Sequence, residues 1–287
     1  MLASRRIEVT ITLAEGQFGE REGETVVLKD FRVRAHINSV GGQAQGQCQC
    51  VIYGLPLSTI NKLTTIGPIH AQIRGRNALK ISAGIDGDTL HDVFLGYIHT
   101  AYGDFNAAPD VGLVVMAYSS APALAKPVEP TSYQGAVECS QIMADLAKEA
   151  GMAFVDAGVK VTLSNPYFSG TTLDKIKACA RAADIYFSTD KNTLSIWTVE
   201  GFSKDNTLKL TPSTGLVGYP QFSSTSIAIK SVFAPQAALG GKLEIKESEV
   251  EAANGNWVIY SVLHSLESRQ PNGEWFTNLE ARAYVGN

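Results

Sequence analysis

The chain has 287 residues, of which 45% are apolar and 18% charged, with a formal net charge of −4. That length favours two or three domains of roughly 100–200 residues each, and the balance is that of a globular chain able to bury a core. The negative charge disfavours a protein that coats nucleic acid, which needs a basic face.

The first six residues, Met1 to Arg6, lead straight into an alternating pattern without an apolar leader, so no signal peptide is expected. No apolar run approaches the roughly 20 residues that span a bilayer, so a soluble chain made in a cytoplasm, with no membrane partner, is expected. Ile7, Val9, Ile11 and Leu13 alternate with Glu8, Thr10 and Thr12, which predicts a half-buried strand. Phe31, Val33, Ala35 and Ile37 predict a second. In the third, Gln43, Gln45, Gln47 and Gln49 share one face, and Ala44, Gly46, Cys48, Cys50 and Ile52 the other. A short helix follows, with Ser58 as cap and Ile60 and Leu63 on one face. Further strands are predicted at 68–73, 78–85, 93–101 and 111–118. Turns separate them at Gly75-Arg76-Asn77, Asp86-Gly87-Asp88 and Ala107-Ala108-Pro109-Asp110. Many short strands joined in this way suggest an antiparallel barrel or sandwich.

Pro122, Pro127 and Pro130 make residues 121–130 a linker. The period then changes. A helix is predicted from a Thr131 or Ser132 cap to Ala150, with Gly151 as its left-handed stop. Val137, Met143, Leu146, Ala147 and Ala150 form its apolar stripe. Short β segments follow near 153–155 and 159–163. A second helix spans 172–183, with Leu173, Ile176 and Ala180 inward and Cys179 beside them. A hairpin then turns at Asp190-Lys191-Asn192. From Leu208 the chain alternates again, with a turn at Pro271-Asn272-Gly273. The expected fold is mainly β, two β-barrel-like domains flanking a small α+β domain. Its parts are 1–120, the linker 121–130, the α+β domain 131–204 and a C-terminal β domain 205–287.

Chemistry is sparse. Cys48, Cys50, Cys139 and Cys179 fit no zinc spacing and read as reduced core thiols. There is no nucleophile elbow, phosphate loop or metalloprotease signature. His36, His70, His91, His99 and His264 read as structural, so no catalytic residue, cofactor or bound metal is assigned. Asp86, Asp88 and Asp92 have carboxylates close enough in sequence to hold calcium, but the same stretch is an ordinary hairpin turn, the reading preferred here. Trp257 and Trp275 anchor a hairpin if buried and can stack on a sugar if exposed.

Three stretches carry a resemblance. One is Asp92-Val93-Phe94-Leu95-Gly96-Tyr97-Ile98-His99-Thr100-Ala101. The second begins Thr214-Gly215-Leu216-Val217-Gly218-Tyr219-Pro220 and continues through Val232-Phe233-Ala234-Pro235 to Leu239-Gly240-Gly241-Lys242-Leu243-Glu244-Ile245. The third is Trp257-Val258-Ile259-Tyr260-Ser261-Val262-Leu263-His264, followed by Gly273-Glu274-Trp275-Phe276-Thr277. With Val51-Ile52-Tyr53-Gly54-Leu55 and Ile60-Asn61-Lys62-Leu63-Thr64, this order resembles the baseplate hub proteins of tailed phages and related contractile particles. The resemblance implies a structural, non-enzymatic virion protein of the tail baseplate, assembled in the host bacterial cytoplasm. It implies a homotrimeric ring that adapts a sixfold tail tube to a threefold central spike. Its expected partners are the spike, a tube or distal tail protein and the tape-measure protein, with DNA only in transit through the lumen. Gly215, Leu216, Gly218, Tyr219 and Pro220 are candidates for a subunit contact, although their glycines equally serve a tight loop alone. The alternative is a carbohydrate-binding or adhesin-like tail protein, which requires Trp257, Trp275 or Tyr219 in water.

Overall fold

A computed structural model describes residues 4–14, 23–41, 45–65, 77–119, 124, 127–199 and 201–284. The predicted strand at 68–73, the Gly75-Arg76 part of its turn, Gln43, Ala44, His70 and Pro122 lie outside the described residues. In chain order the first elements are β1 (Arg5–Thr12), β2 (Thr25–Leu28), β3 (Val33–Val40), β4 (Gln47–Tyr53) and α1 (Leu57–Leu63). Next come β5 (Ala78–Ile85), β6 (His91–Asp104) and β7 (Gly112–Tyr118). An α+β stretch carries β8 (Thr131–Ser132), β9 (Ala136–Glu138), α2 (Cys139–Glu149), β10 (Ala153–Asp156), β11 (Thr162–Ser164) and β12 (Tyr167–Phe168). It ends with α3 (Thr172–Ala182), β13 (Ile185–Ser188) and β14 (Thr193–Thr198). The last strands are β15 (Lys204–Leu210), β16 (Leu216–Phe222), β17 (Ile227–Val232), β18 (Gly241–Ile245), β19 (Gly255–Ser268) and β20 (Trp275–Ala283).

Two compact units divide the chain, and both are discontinuous in sequence. The first holds Met1–Asn38, Gly46–Ser119 and Leu263–Thr277. Its strands run β2-β1-β5-β6-β7-β4-β3 and continue to the turn-proximal ends of β19 and β20. Alternation fixes the register. Ile7, Val9 and Ile11 stand opposite Ala83, Ile81 and Leu79, and all six are buried. Cys48 and Cys50 face the same interior, between Ile37 and Ala35 on one side and Ala117 and Val115 on the other. In α1 the predicted stripe of Ile60 and Leu63 is buried, but Pro56, not Ser58, occupies the cap and Ser58 lies within the helix. The missing N–H of a proline costs nothing at a helix start.

The second unit holds Ser39–Gln45, Ser120–Val262 and Asn278–Asn287. Its large sheet runs β16-β17-β20-β19-β18-β15. Its β16–β17 and β18–β19 pairs are antiparallel, and β15 runs parallel to β18. In neither unit do the described strands close into a barrel, in contrast to the expected barrel-like domains. Among the described strands, β2 pairs with β1 alone, and β16 with β17 alone. Two hydrophobic clusters sit in the second unit. One, drawn from Leu124 to Ile196, is the core of the α+β stretch. The other runs from Trp197 to Ala281 beneath the β sheet.

α2 departs from expectation. It begins at Cys139 with Glu138 at the cap, eight residues after Thr131. Tertiary pairing takes the intervening residues: Thr131 and Ser132 pair with Phe168 and Tyr167, and β9 pairs with β11. Gly151 ends the helix at φ +68 and donates its N–H to the Lys148 carbonyl. α3 matches closely. Thr171 and Asp174 form a capping box, each side chain accepting the other's backbone N–H.

Candidate subunit-interface site

The stretch around Gly215 is built from a turn and an edge strand rather than from a loop. Thr211 and Thr214 brace the turn reciprocally: each hydroxyl accepts the other's backbone N–H, at 2.9 and 3.1 Å. Gly215 then takes φ +118, a conformation that L side chains rarely adopt. A Cβ there would stand 2.7 Å from the side chain of Val232, and the Gly215 carbonyl accepts the Val232 N–H at 2.8 Å. The glycine therefore lets β16 enter the sheet beside β17.

β16 pairs Leu216 with Ser231 and Val217 with Lys230, then slips until Gln221 meets Ala228. Gly218 at φ +68, Tyr219 and Pro220 form the bulge. Proline, with no N–H to donate, is tolerated at such a bulge on an edge strand. Leu216 and Pro220 turn inward. Tyr219 (65% exposed) and Phe222 (50%) face water, with Val232 (45%) on the neighbouring strand. The Tyr219 hydroxyl donates to Glu249 Oε2 at 2.9 Å, and that bond to a carboxylate raises its pKa above the ordinary tyrosine value. Phe222 lies 6.2 Å from the half-buried Trp257, whose indole N–H donates to the Ala253 carbonyl at 2.9 Å.

The five residues predicted for a contact thus share one turn and bulge. Phe222, Val232 and Glu249 join them. Phe222 was within reach of sequence reasoning, lying two residues past Pro220. Glu249 was not, because its contact spans 30 residues. Of the aromatics needed for sugar stacking, Trp275 is buried, Trp257 is half-buried and Tyr219 is exposed.

The other chemistry-bearing residues are held in structural roles. His264 is buried, with its Nδ1 2.9 Å from Thr277 Oγ1. Asp86 pairs with Arg6 at 3.2 Å. Asp92 accepts from Ser82 at 2.6 Å and meets Lys80 at 3.2 Å. Among the described residues no three His, Cys, Asp or Glu side chains gather as they would around a metal ion. A cavity of about 190 Å³ is lined by Gly41, Tyr186, Trp197, Gly240, Tyr260 and Arg282 among others. Arg282 lies over the Tyr186 ring and donates to its hydroxyl at 3.0 Å.

Solved structures share this fold. The chain is similar to a 43 kDa tail protein of prophage MuSo2 from Shewanella oneidensis, at 11% identity and TM-score 0.61, with 96% of each chain covered. It is similar to a tail protein from Neisseria meningitidis at 11% identity and TM-score 0.60, again with 96% of each chain covered. A third neighbour is the E. coli c3393 protein, a type VI secretion component described as structurally similar to the T4 tail proteins gp27 and gp5. It matches at 11% identity and TM-score 0.60, over 88% of this chain and 74% of that one. No curated protein matches the sequence. The fold is that of a class of phage tail proteins. Within that class the chain belongs to the baseplate hub gp41 family, whose model matches residues 6–278.

Proposed function

We propose that this chain is the non-enzymatic hub of a phage tail baseplate, a homotrimeric ring that adapts a sixfold tail tube to a threefold central spike and lines the DNA channel. The observation that carries the reading is the family match over residues 6–278, joined to a fold shared along nearly the whole length of known tail proteins. A hub belongs in the virion tail, is assembled in the host cytoplasm, and meets spike, tube and tape-measure proteins. The sequence modules of this reading are 1–120, the linker 121–130, 131–204 and 205–287.

The subunit contact in this reading is the β16–β17 ribbon around Gly215, Leu216, Gly218, Tyr219 and Pro220. An edge strand carrying exposed Tyr219 and Phe222, with exposed Val232 on the strand beside it, is a surface that isolated chains usually blunt or cover. A closed ring covers such edges between copies.

Light scattering on the chain co-purified with spike and tube partners tests the reading. Three copies per assembly are expected, and the paired substitution Tyr219→Ala and Phe222→Asp should leave a folded chain that no longer trimerises. Monomers of the unsubstituted chain in the presence of both partners would overturn the trimer. Trimers that survive the paired substitution would move the contact elsewhere.

A further inference from the structure

The thiols of Cys139 and Cys179 are in contact, Sγ to Sγ at 3.6 Å, and both residues are 0% exposed. Cys139 is the first residue of α2, and Cys179 lies in α3, the helix that packs against it. Around them stand Ile142, Met143, Ile176 and Ala180. A disulfide needs its sulfurs about 2.05 Å apart, so the gap to close is about 1.5 Å. We propose that Cys139 and Cys179 are a latent staple, which a low-molecular-weight disulfide converts to a covalent link between α2 and α3.

The exchange balances in two steps. The Cys139 thiolate attacks the small disulfide, forming a mixed disulfide and releasing one thiolate. Cys179 then loses its proton and attacks the Cys139 sulfur, expelling the second small thiol. Two cysteine thiols are oxidised and one small disulfide is reduced to two thiols. The thiol–thiol contact favours Cys139 as the first nucleophile, since it holds the Cys139 thiol below its ordinary value and, together with burial, pushes Cys179 up.

The other two cysteines provide a contrast within the same molecule. Cys48 and Cys50 sit two residues apart on one strand face, so their side chains project in parallel with Cβ atoms roughly 6.5 Å apart, beyond the about 4.5 Å that a disulfide spans. Burial raises both, Cys50 to about 12. The chemistry of the staple is independent of the hub role. Only its setting rests on that reading: a particle that leaves a reducing cytoplasm meets oxidising surroundings, where such a link persists.

The test uses the full chain, incubated with oxidised glutathione just below its unfolding temperature, then mapped by mass spectrometry. A product two hydrogens lighter is expected, with the 139 and 179 peptides joined and Cys48 and Cys50 free. Its Tm should rise by roughly 2–4 °C, as ~1 kcal/mol does in a domain of 150–250 residues, and return on reduction. The Cys139→Ala and Cys179→Ala variants should show neither change. Four free thiols, a lasting glutathione adduct, or a link to any other cysteine would overturn the staple and leave the hub reading untouched.

Discussion

The α+β stretch and the β16–β17 ribbon lie in one compact unit and use their apolar residues in opposite ways. The stretch turns everything inward: Ile142, Met143 and Ile176 are wholly covered, each helix giving one stripe to a shared core. Even a cation is drawn in. The Lys175 amine, in a side chain with no exposed surface, donates to the Glu129 carbonyl and to Thr131 Oγ1, with Glu149 at 3.6 Å. The ribbon buries Leu216, Ile227 and Ile229 but leaves Tyr219, Phe222 and Val232 in water. A core of the first kind lowers its free energy through contacts within the chain. A patch of the second kind lowers its free energy when something covers it.

Ile176→Ala breaks the comparison on its stronger side. Removing a covered side chain from a core costs about 2–5 kcal/mol, the transfer free energy plus the cavity left behind. Chemical denaturation should register that loss. A loss below about 1 kcal/mol would mean that the stretch is loosely packed and the contrast false. Lys175 comes next. Lys175→Ala leaves buried acceptors at Glu129 and Thr131 unpaired, at about 1–3 kcal/mol. Lys175→Met fills the same space without a charge, and its melting curve against that of the alanine variant separates the amine's hydrogen bonds from its packing.

How much of each region the sequence revealed follows the same division. The span of α3 was legible because its stripe of Ile176 and Ala180 is a local signal, and the Thr171 and Asp174 capping box, equally local, could have fixed its start. β5 was legible because alternation is local too. The start of α2 was not, since Thr131 and Ser132 look like caps until β12 and Lys175 claim them. The ribbon misled more. Gly215, Gly218 and Pro220 read as a loop, and only the ladder to β17 turns them into a bulged edge strand. Barrel closure depends on which strands pair last, a property of the whole sheet that strand periodicity does not carry.

On the ribbon itself, Gly215→Ala should cost about 1–2 kcal/mol, because φ +118 suits no side chain and Val232 fills the space. Equilibrium unfolding of the variant measures it. An unchanged stability would show that the turn relaxes freely and that the glycine serves only the contact surface.

The smallest effect expected belongs to Tyr219→Phe, and it sharpens the comparison most. The hydroxyl is exposed, and its bond to Glu249 ties together two surface groups without burying either. No resolvable change in Tm is expected at neutral pH. The folded chain holds the Tyr219 proton more tightly than the unfolded chain does. Whatever stability this adds is complete below the tyrosine's ordinary value near 10 and fades as pH rises through the higher folded value. Melting curves taken from neutral to strongly alkaline pH should therefore converge for the two proteins at the alkaline end. If Tyr219→Phe instead lowered Tm by several degrees at neutral pH, the ribbon would be holding the fold together. Its exposed face would then no longer read as a surface kept for a neighbour.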